Sequence, residues 1–118
     1  MSKPAGRVFV ADDDGRILGT GELHPNQLAG GSHVANAGFM IDPSAAGRGV
    51  GRALGLHVIE QAKDAGFLAM QFNAVVETNR AAVHLWQSLG FEILATVPRA
   101  FLSPEHGYVG LNVMFRQL

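Results

Sequence analysis

Between Ile41 and Leu54 the chain reads Asp42-Pro43-Ser44-Ala45-Ala46-Gly47-Arg48-Gly49-Val50-Gly51-Arg52-Ala53, so three glycines alternate with Arg48, Val50 and Arg52. Glycine lets a backbone approach a ligand closely, and the N–H groups that open a helix point outward without a helical partner. A turn of this composition at a helix start is an anion site, and phosphate is its natural occupant. Arg48 and Arg52 can add charge-assisted contacts. The spacing excludes two common phosphate motifs. The fingerprint G-x-G-x-x-G begun at Gly49 needs glycine where Leu54 stands, and begun at Gly47 needs it where Arg52 stands. A Walker loop needs Gly-Lys followed by Ser or Thr, which the chain lacks. A glycine-rich strand-to-helix turn with no ligand is the competing reading of these residues alone.

The flanking elements must position that turn. Arg7 to Ala11 reads as a strand, Asp12-Asp13-Asp14-Gly15 as turn chemistry and Ile17 to His24 as the returning strand. Pro25 to Ser32 reads as a loop. From His33 to Ile41 the residues alternate, with Ala35, Ala37, Phe39 and Ile41 on one side, which predicts a third strand. Val50, Leu54, Val58, Ala62 and Ala65 recur at intervals of three and four and predict a helix that stops at Gly66. Phe67 to Val76 is nearly all apolar and predicts a central strand covered on both faces. Asn79 can cap a second helix whose stripe is Ala82, Leu85, Trp86 and Leu89, with Gly90 ending it. Phe91 to Val97 predicts a strand. In the last one, Val109, Leu111, Val113 and Phe115 alternate with Gly110, Asn112, Met114 and Arg116. The order is strand, strand, strand, helix, strand, helix, strand, strand. It implies an α/β (α+β) fold whose middle strand–helix–strand unit is a right-handed parallel crossover and whose terminal hairpins are antiparallel.

Composition bounds the rest. A chain of 118 residues with 47% hydrophobic content is read as a single compact domain, 1–118. Cysteine is absent, so disulfides and thiolate metal sites are excluded. The five histidines show no i, i+4 pair and no acidic partner at ligand spacing, so no metal is expected. The net charge of −1 argues against nucleic-acid binding. No apolar run approaches a membrane span and no secretory signal is read at Met1-Ser2-Lys3-Pro4, which leaves a cytoplasmic protein as the expectation.

Ile41-Asp42-Pro43 followed by Gly47 through Leu54 resembles the central motif of the GNAT superfamily of N-acetyltransferases: a hydrophobic residue, x, Pro, then Q/R-x-x-G-x-G/A at a helix start. Asn79 through Phe91 is similar to the second GNAT block, N-x-x-A-x-x-L-Y-x-x-x-G-F, and the resemblance covers roughly residues 7 to 118. It implies a mixed, mainly antiparallel central sheet with helices on both faces and two strands that splay to admit acetyl-CoA. It further implies that the backbone of Phe39, Met40 and Ile41 bonds the pantetheine arm and that Gly47, Arg48, Gly49, Val50, Gly51 and Arg52 hold the pyrophosphate. Asn79 reaches the pantetheine, with Ala82 and Trp86 lining the wall. Three departures stand out. Ala46 occupies the Q/R position, Trp86 replaces the tyrosine proposed in many relatives to protonate the leaving thiolate, and the chain begins after the family's usual first strand and helices.

The resemblance implies acetyl transfer from acetyl-CoA to a primary or secondary amine, without a metal. The competing readings are a degenerate or truncated acetyl-CoA-binding module that turns over poorly or contributes half a site to a homodimer, and an enzyme acting on a protein N-terminus or lysine. A lysine-like amine with pKa about 10.4 is neutral in roughly one part in 2,500 at pH 7, so a base or desolvation must supply about 4.6 kcal/mol. The oxyanion falls near a strand N–H of Met40 or Ile41, a donor typically worth about 3 kcal/mol. Candidate polar groups are Glu22, His24, His33, Asn36, Asn73 and Tyr108. Asn73 would orient the acceptor, Glu22 would serve as base, and Tyr108, a phenol, would protonate the thiolate. Each also reads as an ordinary solvated residue. Trp86, with Asn73 upstream and Pro98-Arg99-Ala100-Phe101 and His106-Gly107-Tyr108-Val109 downstream, resembles a subgroup acting on small amines and amino-acid analogues, which points to a small-molecule acceptor.

Overall fold

A computed structural model describes residues 7–26, 29–45 and 47–118. Within them run β1 (Arg7–Asp13), β2 (Arg16–Pro25), β3 (Val34–Ile41), α1 (Val50–Asp64), β4 (Ala69–Val76), α2 (Arg80–Ser88), β5 (Glu92–Ser103) and β6 (Gly107–Gln117), with short 3-10 turns at Ala29–Gly31 and Pro43–Ala45. These six mainly antiparallel strands and two helices bear out the α/β class and element order read from the sequence. Among the described residues no helix is long and apolar enough to cross a membrane. The chain divides into two compact units, Met1–Met70 with Leu118, and Gln71–Gln117.

The first unit is an antiparallel meander, β1-β2-β3, with α1 against it, mostly over β2. The β1–β2 hairpin turns at Asp14 (φ 50°) and Gly15 (φ 87°). Two successive positive φ values match the right-handed twist of the flanking strands, and Asp and Gly tolerate them. Asp12 Oδ1 accepts the Gly15 N–H at 2.8 Å and completes the turn. In β3 the alternation holds, since Ala35 and Ala37 are buried. α1 buries Leu54, Val58, Ile59 and Ala62, and removing each large apolar side chain from water is worth about 1.5–3 kcal/mol. It stops as its sequence indicates. Gly66 takes φ 88°, its N–H bonds Lys63 O and the Phe67 N–H bonds Ala62 O, the pair of bonds of a Schellman end.

The second unit repeats that ending in α2, where Gly90 has φ 93°, its N–H bonds Gln87 O, and the Phe91 N–H bonds Trp86 O. The apolar contact that accompanies such an end is Trp86 on Phe91, rings 6.3 Å apart. Phe72 of β4 completes the cluster, 4.7 Å from Trp86 and stacked 4.3 Å from Phe91. Two expectations need correction, on β4 and β5, and the buried side of β6, which the sequence left open, is decided. β4 is not covered on both faces throughout: Ala69, Met70 and Phe72 are buried but Asn73 and Ala74 are exposed. β5 runs on to Ser103 through Pro98, because the β5–β6 register jumps from Val97 to Phe101 and a bulge asks no ladder hydrogen bond of proline. In β6 the buried residues after Val109 are Gly110, Asn112 and Met114, while Leu111, Val113 and Phe115 are half-buried. Asn112, 4% exposed, is tolerated there because its Oδ1 accepts the Thr96 hydroxyl at 2.7 Å.

Candidate active site

The glycine turn is left-handed at two positions. Gly47 has φ 78°, and Gly49, the N-cap of α1, has φ 76°, so left-handed glycines alternate with Arg48. Such alternation aims successive N–H groups into one concavity. The Ala53 N–H bonds Gly49 O at 3.0 Å and begins the helical ladder, so the amides of Val50 and Gly51 precede any helical acceptor. No side chain caps this helix start. A Cβ placed on Gly47 or Gly49 meets nothing within 4 Å, so the glycines answer to backbone conformation and open space, not to crowding. Arg52 lies in the first turn of α1. Ala46, at the family's Q/R position, lies outside the described residues.

Arg48 is engaged on the protein. Its Nη2 donates to Asp13 Oδ2 at 3.2 Å, from the tip of the β1–β2 hairpin. Below the turn, Asp42 Oδ1 accepts the Ser44 N–H at 2.9 Å, and Arg16 approaches Asp42 Oδ2 to 3.8 Å. The Ser44 backbone and hydroxyl, followed by the Arg16 charge, outweigh desolvation and hold the Asp42 carboxyl below its ordinary range.

On the face of the meander opposite α1, Val8, Glu22 and Gly38 stand in register across the three strands, as do Val10, Thr20 and Met40. A groove of about 290 Å³ opens there, lined by Val8, Thr20, Gly21, Glu22, Gly38, Phe39 and Met40. Its walls are apolar, with Val8 73% and Met40 77% exposed. Gly38 leaves room for the Glu22 carboxylate: a Cβ on it would sit 3.3 Å from Glu22 Oε1. Gly21 does the same for Phe39, whose ring would be 2.9 Å from an added Cβ. Phe39 and Ile41 are half-buried.

In the second unit, Asn79 caps α2, accepting the Ala82 N–H on Oδ1 at 3.2 Å, and its carboxamide nitrogen carries the two remaining donors. Ala82 is half-buried and Trp86 is 6% exposed. Asn73 lies exposed on β4, where its Oδ1 accepts Gln71 Nε2 at 2.8 Å. Tyr108, 60% exposed at the start of β6, carries the Arg99 guanidinium 5.3 Å from its ring centroid. His57 packs edge-on against Phe9, and His24 Nδ1 lies 3.0 Å from Pro25 O. Among the described residues no group of His, Cys, Asp or Glu could hold a metal ion.

The sequence reading passed over Asp13, taken only as turn chemistry, and Glu77, whose carboxylate accepts the N–H of Gly110. One signal pointed to the latter: an isolated glycine inside a strand pattern marks a bulge or a close approach.

The family model described as Acetyltransferase (GNAT) family matches residues 1–91. N-acetyltransferase aca1 of Schizosaccharomyces pombe is 32% identical over 111 residues, which are 92% of this chain and 53% of that protein. The chain thus spans about half the length of that curated relative. Among solved structures, a GCN5-related N-acetyltransferase from Kribbella flavida aligns at TM-score 0.93 and 56% identity, over 100% of this chain and 71% of that one. The protein yncA from Salmonella typhimurium, solved with its cofactor acetyl-CoA, aligns at TM-score 0.83 and 26% identity, over 94% of this chain and 64% of that one. The fold and these matches agree, and the chain belongs to the acetyltransferase (GNAT) family.

Proposed function

We propose that residues 1–118 form the acetyl-CoA-binding domain of an N-acetyltransferase whose acceptor is the primary or secondary amine of a small molecule. The observation that carries this reading is the alternation of left-handed Gly47 and Gly49 at an uncapped helix start, a backbone concavity suited to a pyrophosphate. Acetyl-CoA, when bound, supplies the acetyl group as a thioester. Gly47 to Arg52 hold its diphosphate through backbone amides, and the backbone of Phe39 to Ile41 holds the pantetheine arm. In the second unit, Asn79, with its Nδ2 donors, Ala82 and Trp86 are the residues that the family resemblance offers for the cofactor.

The groove beside Phe39 and Met40 supports a small acceptor, because about 290 Å³ lies just under the range typical of drug-sized ligand pockets. Its lining carries one charged side chain, Glu22, which attracts the protonated amine and takes its proton directly or through water. The neutral nitrogen then attacks the thioester carbon, a strand N–H of Met40 or Ile41 stabilises the oxyanion, the nitrogen loses its second proton to water, and the carbonyl re-forms as the C–S bond breaks. Tyr108 returns a proton to the sulfur, since the Trp86 indole is a donor that does not readily give its proton up. Asn73 orients the acceptor.

The test is thermal unfolding with acetyl-CoA, followed by thiol release against a panel of amines. A ligand that binds only the folded state stabilises it by about 2.7 kcal/mol at a hundredfold excess over Kd, so the melting temperature rises. NADH or ATP matching that rise would refute the proposal, as would thiol release that no small amine stimulates.

A further inference from the structure

Glu77 follows the last residue of β4 and precedes α2 by three positions. Its N–H donates to Gly110 O at 3.0 Å, while its carboxylate Oε2 accepts the Gly110 N–H. Both backbone groups of one β6 residue are therefore satisfied by one residue of the neighbouring segment, with a side-chain carboxylate where a ladder would use a backbone carbonyl. The substitution of side chain for backbone frees the main chain to leave the strand direction at Glu77 without orphaning the Gly110 N–H. Gly110 has to be glycine for this. A Cβ there would stand 2.6 Å from Thr96 Cγ2 and 2.8 Å from Glu77 Oε2. Thr96 is itself fixed, since its hydroxyl donates to the buried Asn112 at 2.7 Å.

What the chain does on leaving β4 is equally constrained. The Asn79 N–H bonds Val76 O at 3.0 Å and the Arg80 N–H bonds Thr78 O at 2.9 Å, a tight turn whose first residues flank Glu77. It delivers Asn79 to the N-cap, where Oδ1 accepts the Ala82 N–H and the backbone carbonyl accepts the Val83 N–H at 3.1 Å. The two bonds to Gly110 are the anchor from which this turn is measured. A carboxylate acceptor makes the stronger bond of the pair.

We infer that Glu77 is a positioning residue, which sets the first turn of α2 and the Asn79 carboxamide by clamping Gly110. That this placement serves acetyl-CoA rests on the function proposed above. The placement itself does not.

The experiment reads the two separately. In the ligand-free protein, amide hydrogen exchange at Ala82 and Val83 is expected to speed up about tenfold in Glu77→Ala, with Val58 in α1 unaffected, and to return near the wild-type rate in Glu77→Gln, whose side-chain carbonyl can still accept the Gly110 N–H. Unchanged exchange at Ala82 and Val83 would overturn the inference. So would equal acceleration at Val58, because Glu77 would then stabilise the fold at large. In calorimetric titration with acetyl-CoA, Glu77→Ala is expected to weaken Kd about tenfold, with kcat at saturation within about threefold of wild type, and Glu77→Gln to restore affinity. Faster exchange with unaltered affinity would remove the cofactor-positioning role. Wild-type protein that does not bind acetyl-CoA would refute the proposed function instead, while the exchange rates still decide whether Glu77 sets α2.

Discussion

Arg48 Nη2 lies 3.2 Å from Asp13 Oδ2, so the cation at the centre of the glycine turn is held by the tip of the first hairpin. The two side chains are 52% and 55% exposed, and an ion pair that solvated contributes at most about 1 kcal/mol. In the diphosphate site proposed above Asp13 matters more as a competitor, because an incoming diphosphate would share Arg48 with a carboxylate. Asp13→Ala is expected to leave the unfolding midpoint nearly unchanged and to tighten acetyl-CoA binding about two- to threefold at low ionic strength, a gain that high salt erases. Calorimetric titration at two salt concentrations checks this. Weaker binding in the variant would mean that Asp13 holds Arg48 in its productive position.

The turn glycines separate stability from binding. Gly49→Ala introduces a Cβ at φ 76° where nothing crowds it, so its cost is conformational alone, about 1–2 kcal/mol in chemical denaturation. Gly51 is the second residue of α1, a position where valine is no worse a helix former. Gly51→Val is therefore expected to fold, with a wild-type circular-dichroism spectrum, and to weaken acetyl-CoA about tenfold or more by filling the space above the helix amides. Full binding by a folded variant would remove this turn from the site.

The proposed function makes Trp86 a wall and Tyr108 the acid. With Trp86 buried edge-on against Phe72 and Phe91, Trp86→Ala is expected to cost about 3–5 kcal/mol, whereas Trp86→Phe keeps the ring contacts at about 1–1.5 kcal/mol. Tyr108, 60% exposed, should tolerate Phe with no measurable loss of stability. If its hydroxyl protonates the leaving thiolate, Tyr108→Phe lowers kcat at least about tenfold and more than Trp86→Phe does, at unchanged acetyl-CoA affinity. Thiol release at saturating acetyl-CoA distinguishes them, and the reverse ranking would move the acid elsewhere.

Asp42 predicts an acid-side dependence of stability. Hydrogen bonds from Ser44 and the charge of Arg16 lower its carboxyl in the folded state relative to the value of 3.8 expected without them. A lowered folded value means that its contribution is complete above the unfolded value and is lost as pH falls through the folded one. Asp42→Ala should thus be less stable than wild type at pH 6, and the gap should close below about pH 3.8 as both carboxyl states protonate. Urea unfolding of both proteins across that window is the check. A gap that is constant with pH would assign the difference to the turn backbone instead.

What the amino-acid sequence determined by itself is everything whose cause lies within a few residues. Asp14-Gly15 turns because those two residue types accept positive φ. α1 and α2 begin at Gly49 and Asn79 and end at Gly66 and Gly90 because caps and left-handed glycines act on their own helix. The family was legible for the same reason, since its motifs are a local turn and a local helix. Tertiary structure decided what depends on partners distant along the chain. Asp13 meets Arg48 thirty-five residues on, and Glu77 meets Gly110 thirty-three on, pairings that no periodicity encodes. Which side of β6 is buried was likewise undecidable from alternation, because alternation fixes two faces and not which one the rest of the unit covers. Pro98 looked like a strand end and is a bulge, because only the register of β6 shows that its missing N–H is not asked for.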